Sequence, residues 1–247
     1  MPTRSRKDSP IVAHTIVTGA TGGIGSACVS TLRDLGHQVS AWDLPHVDVT
    51  DPEAVHTALE NAIAEHGQIS GLVHCAGVLA ADEALHPQLS TLQHSMEVNF
   101  FGTVNVCAAV AQHMVERGEG SIVTVTSNAH STPRQGMAAY GASKAAAASW
   151  MRTLALDTAG HGVRCNTVSP GSTETPMLTG MFEPEQTEQA FRQVIAGTPE
   201  TFRLGIPLGR IADPSAVAET CLFLLSDAAR HITMHDLRVD GGATFDS

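Results

Sequence analysis

A β-rich run over residues 11–18 leads directly into the cluster Gly19-Ala20-Thr21-Gly22-Gly23-Ile24-Gly25, and a helical pattern over residues 24–35 then stops at Gly36. Few folds accommodate a strand, a glycine turn and a helix in that order. Gly19 permits the sharp turn, Gly23 lets the backbone approach a pyrophosphate, and Gly25 allows close helix packing. The helix N-terminus, with its unpaired N–H groups, then faces the negative charge. Glycines alone would indicate only a turn; their place between strand and helix points to dinucleotide binding.

The rest of the chain repeats the alternation. Residues 38–42 and 47–49 read as short strands, and a helix runs from Pro52 to about residue 65. Apolar strands follow at residues 71–75 (GLVHC), 121–126 (SIVTVT), 163–168 and 235–239. The alanines at 145–148 suit a closely packed helix face. Strands separated by helices build a parallel sheet covered on both sides. The expected fold is therefore α/β: a single-domain, Rossmann-like, doubly wound parallel sheet flanked by helices on both faces. Residues 1–10 are polar and basic, without the apolar stretch of a signal peptide, and read as a flexible tail on a domain spanning 11–247. One irregularity stands out. Only four residues separate Asp43 from Asp48, whereas a parallel crossover takes at least ~10 to 12. Either a tight loop or a very short third strand replaces the expected helix.

A formal net charge of −11 argues against a nucleic-acid surface, which needs a basic footprint. Any attraction for an anionic substrate must come from individual arginines. Cys28, Cys75, Cys107, Cys165 and Cys221 are scattered and odd in number, so reduced thiols in a cytoplasmic protein are expected. No run reaches the ~18 apolar residues of a membrane span. His231 and His235 have i, i+4 spacing but no third ligand in a recognisable pattern, and no metal is expected.

The second strand ends at Asp43, about 20 residues beyond the glycine loop. A carboxylate there accepts from both adenosine ribose hydroxyls and repels a 2′-phosphate, so NAD is expected rather than NADP. At the other end of the site, Tyr140 and Lys144 stand at i and i+4 on one helix face. A free phenol has a pKa of ~10, too high for a base at neutral pH. A nearby ammonium and a positive nicotinamide ring stabilise the phenolate. Tyr140, the one tyrosine in the chain, can then take an alcohol proton as hydride leaves carbon. Ser127, thirteen residues earlier at the end of an apolar strand, can hold the substrate oxygen. Asn99 lies in an otherwise apolar helix, where a buried amide must bond a backbone carbonyl or a relay water.

Together the T-G-x-x-x-G-x-G pattern at 18–25, Asn99, Ser127, and Tyr140 with Lys144 resemble the short-chain dehydrogenase/reductase family, in order and spacing over about residues 11–247. The resemblance implies that Asn99, Ser127, Tyr140 and Lys144 form a catalytic tetrad and that Lys144 also binds the nicotinamide ribose. It implies a cofactor site made by Gly19, Thr21, Gly23, Ile24, Gly25 and Asp43. Asp48-Val49 resembles the adenine-contacting pair. The segment Pro170-Gly171-Ser172-Thr173-Glu174-Thr175 resembles the one that holds the carboxamide through Thr173 and Thr175. The family's N-N-A-G appears as His74-Cys75-Ala76-Gly77, so Ala76 and Gly77 keep their cofactor place while the usual asparagine's structural contacts are put in doubt. Val239-Asp240-Gly241-Gly242 resembles the family's subunit-contact strand and implies a homotetramer.

Within the family, residues 132–140 (TPRQGMAAY), 162–166, 169–175, 202–210 and 231–242 resemble the 2,3-dihydro-2,3-dihydroxybenzoate dehydrogenases of catechol-siderophore pathways. Such enzymes oxidise a ring alcohol of a cyclohexadiene carboxylate, and aromatisation drives the step. A carboxylate calls for a planar bidentate donor near Tyr140. Arg134, six residues earlier, is the first candidate and Arg203 the second, while Arg210 suits subunit contacts. Met137 can line the ring face beside Ser127 and Tyr140, and residues 176–203 suit a mobile lid. The same chemistry on 2,3-dihydro-3-hydroxyanthranilate is the alternative, with Asn128 and His130 placed where such a difference could act. Another cyclic alcohol is the broader one. A non-turnover dinucleotide regulator is disfavoured because Tyr140 and Lys144 are both present.

Overall fold

The computed structural model describes residues 14–245. The tail at 1–10 and the first three residues of the expected 11–18 strand lie outside the described residues. Six strands form one sheet: β1 (His14–Thr18), β2 (Gln38–Trp42), β3 (Ile69–His74), β4 (Gly120–Val125), β5 (Val163–Pro170) and β6 (Asp236–Val239). Every pairing is parallel, in the order β2-β1-β3-β4-β5-β6. The chain winds outward from β1 to β2, then returns across β1 to build the other half. β1 and β3 are therefore neighbours whose connections leave in opposite directions, and a crevice opens beyond their C-terminal ends.

Period-two alternation assigns each strand residue to one face. Ile16, Leu72, Ile122 and Cys165 point to one side, where they pack against α2 (Pro52–His66), α4 (Gly102–Arg117) and α5 (Ala138–Ala159) through Leu59, Val110, Met114 and Met151. Val17, Val73, Val123 and Val168 point to the other, against α1 (Gly23–Asp34) and α8 (Pro214–Leu225) through Cys28, Leu32, Val217 and Leu224. Both faces of a parallel sheet must be covered, and these two layers cover them. Asp51 starts α2 by accepting from Glu53 and Ala54 N–H, with Pro52 in its first turn. The alanine run of α5 lets this 22-residue helix lie close to the sheet.

Residues 47–49 are not a strand. After Trp42 the chain folds into tight turns, with His46 and Val47 N–H donating to the Asp43 carbonyl and Thr50 N–H and hydroxyl donating to Asp48. Four residues cannot reverse a chain and bring it back parallel, so the tight loop prevails over the short strand.

α3 (Leu89–Met96) runs through a π turn, Glu97–Phe101, into α4. The resulting 29-residue stretch is long and apolar enough to cross a membrane by length and composition. Its apolar side is instead spent on the sheet, with Val106, Cys107, Val110 and Met114 fully buried. Residues 176–203, expected as a lid, contain the short helix α6 (Pro176–Thr179) and the amphipathic helix α7 (Thr187–Ala196).

Candidate active site

Two adjoining cavities open at the C-terminal edge of the sheet. The larger, about 640 Å³, runs over the glycine loop, Asp43, Asp48, Val49, Ala76 and Gly77. The smaller, about 270 Å³, lies beside Ser127, Tyr140 and Lys144 and under α6 and α7. Ile24, Cys75, Gly77, Thr175 and Met177 line both.

The glycines of the first cavity answer to close approaches. Gly19 has φ +60°, and a Cβ there would lie 2.8 Å from the Ala76 nitrogen. A Cβ on Gly25 would lie 2.1 Å from the Gly19 carbonyl. Gly23 makes room for a neighbour the sequence did not foretell: the Thr175 methyl group would lie 2.5 Å from its Cβ. The segment after β5, with Pro170, Gly171, Thr173 and Thr175, thus closes over the start of α1. At the rim, Asp43 accepts from Thr21 N–H (2.8 Å), the Thr21 hydroxyl (2.6 Å) and Leu44 N–H (2.9 Å). Partial burial would raise its pKa, but these donors hold the carboxyl below the usual range. The cavity carries an anion at the strand end and a helix start with no side-chain cap, features that fit a dinucleotide.

His74 and Cys75, where the family has asparagines, make contacts of their own with Thr18. The Thr18 hydroxyl lies 2.8 Å from His74 Nδ1 and accepts from the backbone N–H of Cys75 (3.1 Å) and Ala76 (3.2 Å). Since Thr18 is accepting twice, its proton goes to Nδ1 and the other ring nitrogen carries hydrogen. Burial, reinforced by Lys144, depresses the His74 pKa to about 3, so the ring stays neutral. A neutral histidine thereby fixes the turn that delivers Ala76 and Gly77 to the cleft.

Asn99 sits in the π turn, fully buried. Its Oδ1 accepts from Val78 N–H (2.8 Å), and its Nδ2 donates to the Val78 carbonyl (2.9 Å) and the Ser143 hydroxyl (3.0 Å). The backbone carbonyl predicted as a partner is present. Asn99 ties the segment after β3 to α5, the helix that carries Tyr140 and Lys144. Gly77 completes the junction: a Cβ there would lie 3.0 Å from both Asn99 Oδ1 and Lys144 Nζ.

Ser127 begins a single 3₁₀ turn and accepts from Ala129 N–H at 3.1 Å. Lys144 Nζ donates to the Val125 carbonyl at 3.1 Å and lies 6.0 Å from the Tyr140 ring centre. Burial lowers the Lys144 pKa to about 8. It also pushes the Tyr140 phenol above its ordinary value of 10, partly offset by the Ser127 hydroxyl. In a dry pocket desolvation of the phenolate dominates, and lowering the value calls for the positive nicotinamide ring as well as Lys144.

Arg134 and Arg203 both line the second cavity, as do Met137 and Asn128. Arg134 donates to Asn128 Oδ1 (3.0 Å) and Arg203 to the Ser172 hydroxyl (3.0 Å). Neither makes an ion pair among the described residues. The loop holding Arg203 is closed by mutual backbone hydrogen bonds between Thr198 and Arg203, with Phe202 at φ 54°. The apolar part of the wall joins Leu178, Met181 and Phe182, from the segment expected as a lid, to Leu79, which sequence reasoning had missed. Only the crossing of α6 over the cleft makes these residues neighbours. His130, offered as a pocket residue, turns instead to Asp236 at 3.0 Å.

The family model described as enoyl-(acyl carrier protein) reductase matches residues 40–244. The chain belongs to the short-chain dehydrogenase/reductase family. Within that family it is 39% identical to the vibriobactin-specific 2,3-dihydro-2,3-dihydroxybenzoate dehydrogenase of Vibrio cholerae, covering 97% of this chain and 99% of the relative. It is 41% identical to the 2,3-dihydro-2,3-dihydroxybenzoate dehydrogenase of Bacillus subtilis, covering 92% and 94%. Among solved structures, the aldohexose dehydrogenase of Thermoplasma acidophilum aligns with TM-score 0.85 at 29% identity, over 94% of this chain and 93% of that one. Like its relatives named as dehydrogenases, this short-chain dehydrogenase/reductase is an oxidoreductase.

Proposed function

We propose that this enzyme uses NAD to oxidise a ring hydroxyl of a cyclohexadiene carboxylate, 2,3-dihydro-2,3-dihydroxybenzoate, giving 2,3-dihydroxybenzoate. The observation that carries the reading is the pair of arginines, Arg134 and Arg203, facing the cavity beside Tyr140 with neutral partners only. Both guanidinium groups are half-buried and lowered from their ordinary pKa by desolvation, and a planar substrate carboxylate would satisfy both. The apolar residues Met137, Leu79 and Phe182 suit the ring. The homology to dihydrodihydroxybenzoate dehydrogenases supports the same substrate.

NAD supplies, when bound, the hydride acceptor and a positive ring beside the phenol. Asp43 holds the adenosine ribose, with Asp48 and Val49 beside the adenine, and Thr173 and Thr175 hold the carboxamide. Ser127 donates its hydrogen bond to the substrate oxygen, and Tyr140 takes the hydroxyl proton at its phenolate oxygen. Lys144, ionised below pH about 8, stabilises that phenolate and bonds the nicotinamide ribose. Asn99 fixes the helix that carries both residues. The lid formed by α6 and α7 excludes water while hydride leaves carbon. Five free cysteines, four of them buried, suit a cytoplasmic enzyme. Leu208 and Phe245, 64% and 79% exposed beside the β6 segment, suit a subunit contact in a homotetramer.

The test is NADH formation at 340 nm with the dihydroxy acid and with 2,3-dihydro-3-hydroxyanthranilate side by side. Faster turnover of the dihydroxy acid supports the proposal. Preference for the amino acid substrate moves the substrate and keeps the chemistry, and no turnover of either overturns the substrate assignment.

A further inference from the structure

Two guanidinium groups in one small cavity repel each other, and each lowers its charge stability by burial. Something must keep each of them aimed into it. For Arg203 the tether is Ser172. For Arg134 it is Asn128, whose Oδ1 accepts from Arg134 Nη2 at 3.0 Å. A primary amide presents a donor from one side and an acceptor from the other, so it holds an arginine only if its oxygen faces the cation. Nothing in an isolated asparagine enforces that.

The enforcing group comes from the far end of the chain. Asp240, just beyond β6, accepts from Asn128 Nδ2 at 3.1 Å through Oδ2. The same oxygen accepts from the Thr244 hydroxyl (2.6 Å), and Oδ1 accepts from Gly242 N–H (3.0 Å). Burial alone would raise the pKa of this carboxyl, but the three donors hold it below the ordinary value. A carboxylate offers no donor, so an amide beside it must present nitrogen to it and oxygen away. Both residues are immobilised: Asp240 and Asn128 are 8% and 3% exposed. A Cβ on Gly171 would lie 2.6 Å from the Asp240 Cβ and 3.4 Å from Asn128 Nδ2, so the packing around the chain of bonds is tight.

We propose that Asp240 is a positioning residue for the substrate carboxylate: through the polarity it imposes on Asn128, it aims Arg134 into the cavity. The inference rests on the reading of Arg134 as a carboxylate ligand. The interposed amide has a purpose that a direct ion pair would defeat. An aspartate touching Arg134 would neutralise the cation the substrate needs. An amide between them passes on orientation and keeps the carboxylate out of direct contact, so Asp240 acts on the Arg134 charge only through space.

The experiment compares Asp240→Asn and Asn128→Ala, alone and combined with Arg134→Ala, by steady-state kinetics. The substrates are the dihydroxybenzoate precursor and the carboxylate-free 3,5-cyclohexadiene-1,2-diol. Asp240→Asn keeps the shape but has one acceptor oxygen for three donors. It is expected to raise KM for the acid about tenfold, with kcat within about twofold and KM for the diol unchanged. In the Arg134→Ala background, the same substitution is expected to change KM no further. An undiminished effect in that background, or an equal effect on acid and diol, overturns the positioning role. Asn128→Ala carries the same expectation if Asp240→Asn does not fold. If Arg134→Ala alone leaves KM for the acid unchanged, the carboxylate reading of Arg134 falls, which separates its failure from that of the tether.

Discussion

Around the dinucleotide cleft, shape is set by backbone, and around the substrate cavity it is set by side chains brought from distant parts of the chain. In the first region Gly19, Gly25 and Gly77 leave gaps that no Cβ fits, and one carboxylate, Asp43, marks the rim. In the second, Arg134, Arg203, Ser172 and Asn128 hold one another through bonds that cross from β4, β5 and the lid. A backbone site binds one shape of ligand and survives drift of everything around it. A side-chain site can be retuned one substitution at a time, which is how a single family serves many substrates. Tyr140 and Lys144 stand where the two regions meet.

The comparison predicts separable losses. The largest falls on the seam. Tyr140→Phe should lower kcat by about 10²- to 10⁴-fold with NAD affinity, measured by titration, within about threefold. A fall in NAD affinity as large as the fall in kcat would place the phenol in the cofactor site instead. Next, Lys144→Met should stabilise the fold at pH 7 by about 3 kcal/mol in urea unfolding, while turnover is lost. The sign follows from burial: the folded pKa is about 8 against 10.5 in an unperturbed lysine. Between those values the unfolded chain binds more protons, so wild-type stability rises with pH and the variant's advantage shrinks. An advantage that persists unchanged above pH 10.5 would assign it to packing.

Gly25→Ala should cost about 1–3 kcal/mol of stability through the clash with the Gly19 carbonyl. It should weaken NAD binding in step, and KM for the acid at saturating NAD should hold. The smallest effect belongs to the other region: Arg203→Ala should raise KM for the acid about tenfold and leave NAD affinity unchanged. A reciprocal change, in which the arginine moves NAD affinity and the glycine moves KM for the acid, would erase the distinction between the two regions.

The same contrast explains what could be read in advance. Gly19, Asp43 and the Tyr140–Lys144 pair lie within short windows, and local rules of turn, strand end and helix face translate them directly into positions. The alternation of apolar runs gave the parallel sheet for the same reason. Several of the contacts that escaped such rules are of longer range. Thr175 against Gly23, His74 under Thr18, and Asp240 behind Asn128 join residues far apart in sequence, and no periodicity records such pairs. Spacing reveals a partner for Tyr140 but not the dryness of its pocket. Residues 47–49, Val-Asp-Val, alternate as a strand does, and the count of residues before them was the better guide to the loop.

The π turn at Glu97–Phe101 has one more consequence, for engineering and for descent. A π turn holds one residue more than an α-helical path between the same neighbours. Removing a single residue there would give a regular α-helical path between the same neighbours and shift the facing of the turn's own residues. Asn99 would swing off Val78 and Ser143, while the packing of α4 on the sheet, set by residues after the turn, would persist. A one-residue deletion in this stretch would therefore yield a folded protein whose α5 had lost its tie to the segment after β3. Length changes here, unlike those in the surface loops, act on alignment of the reacting groups and not on stability.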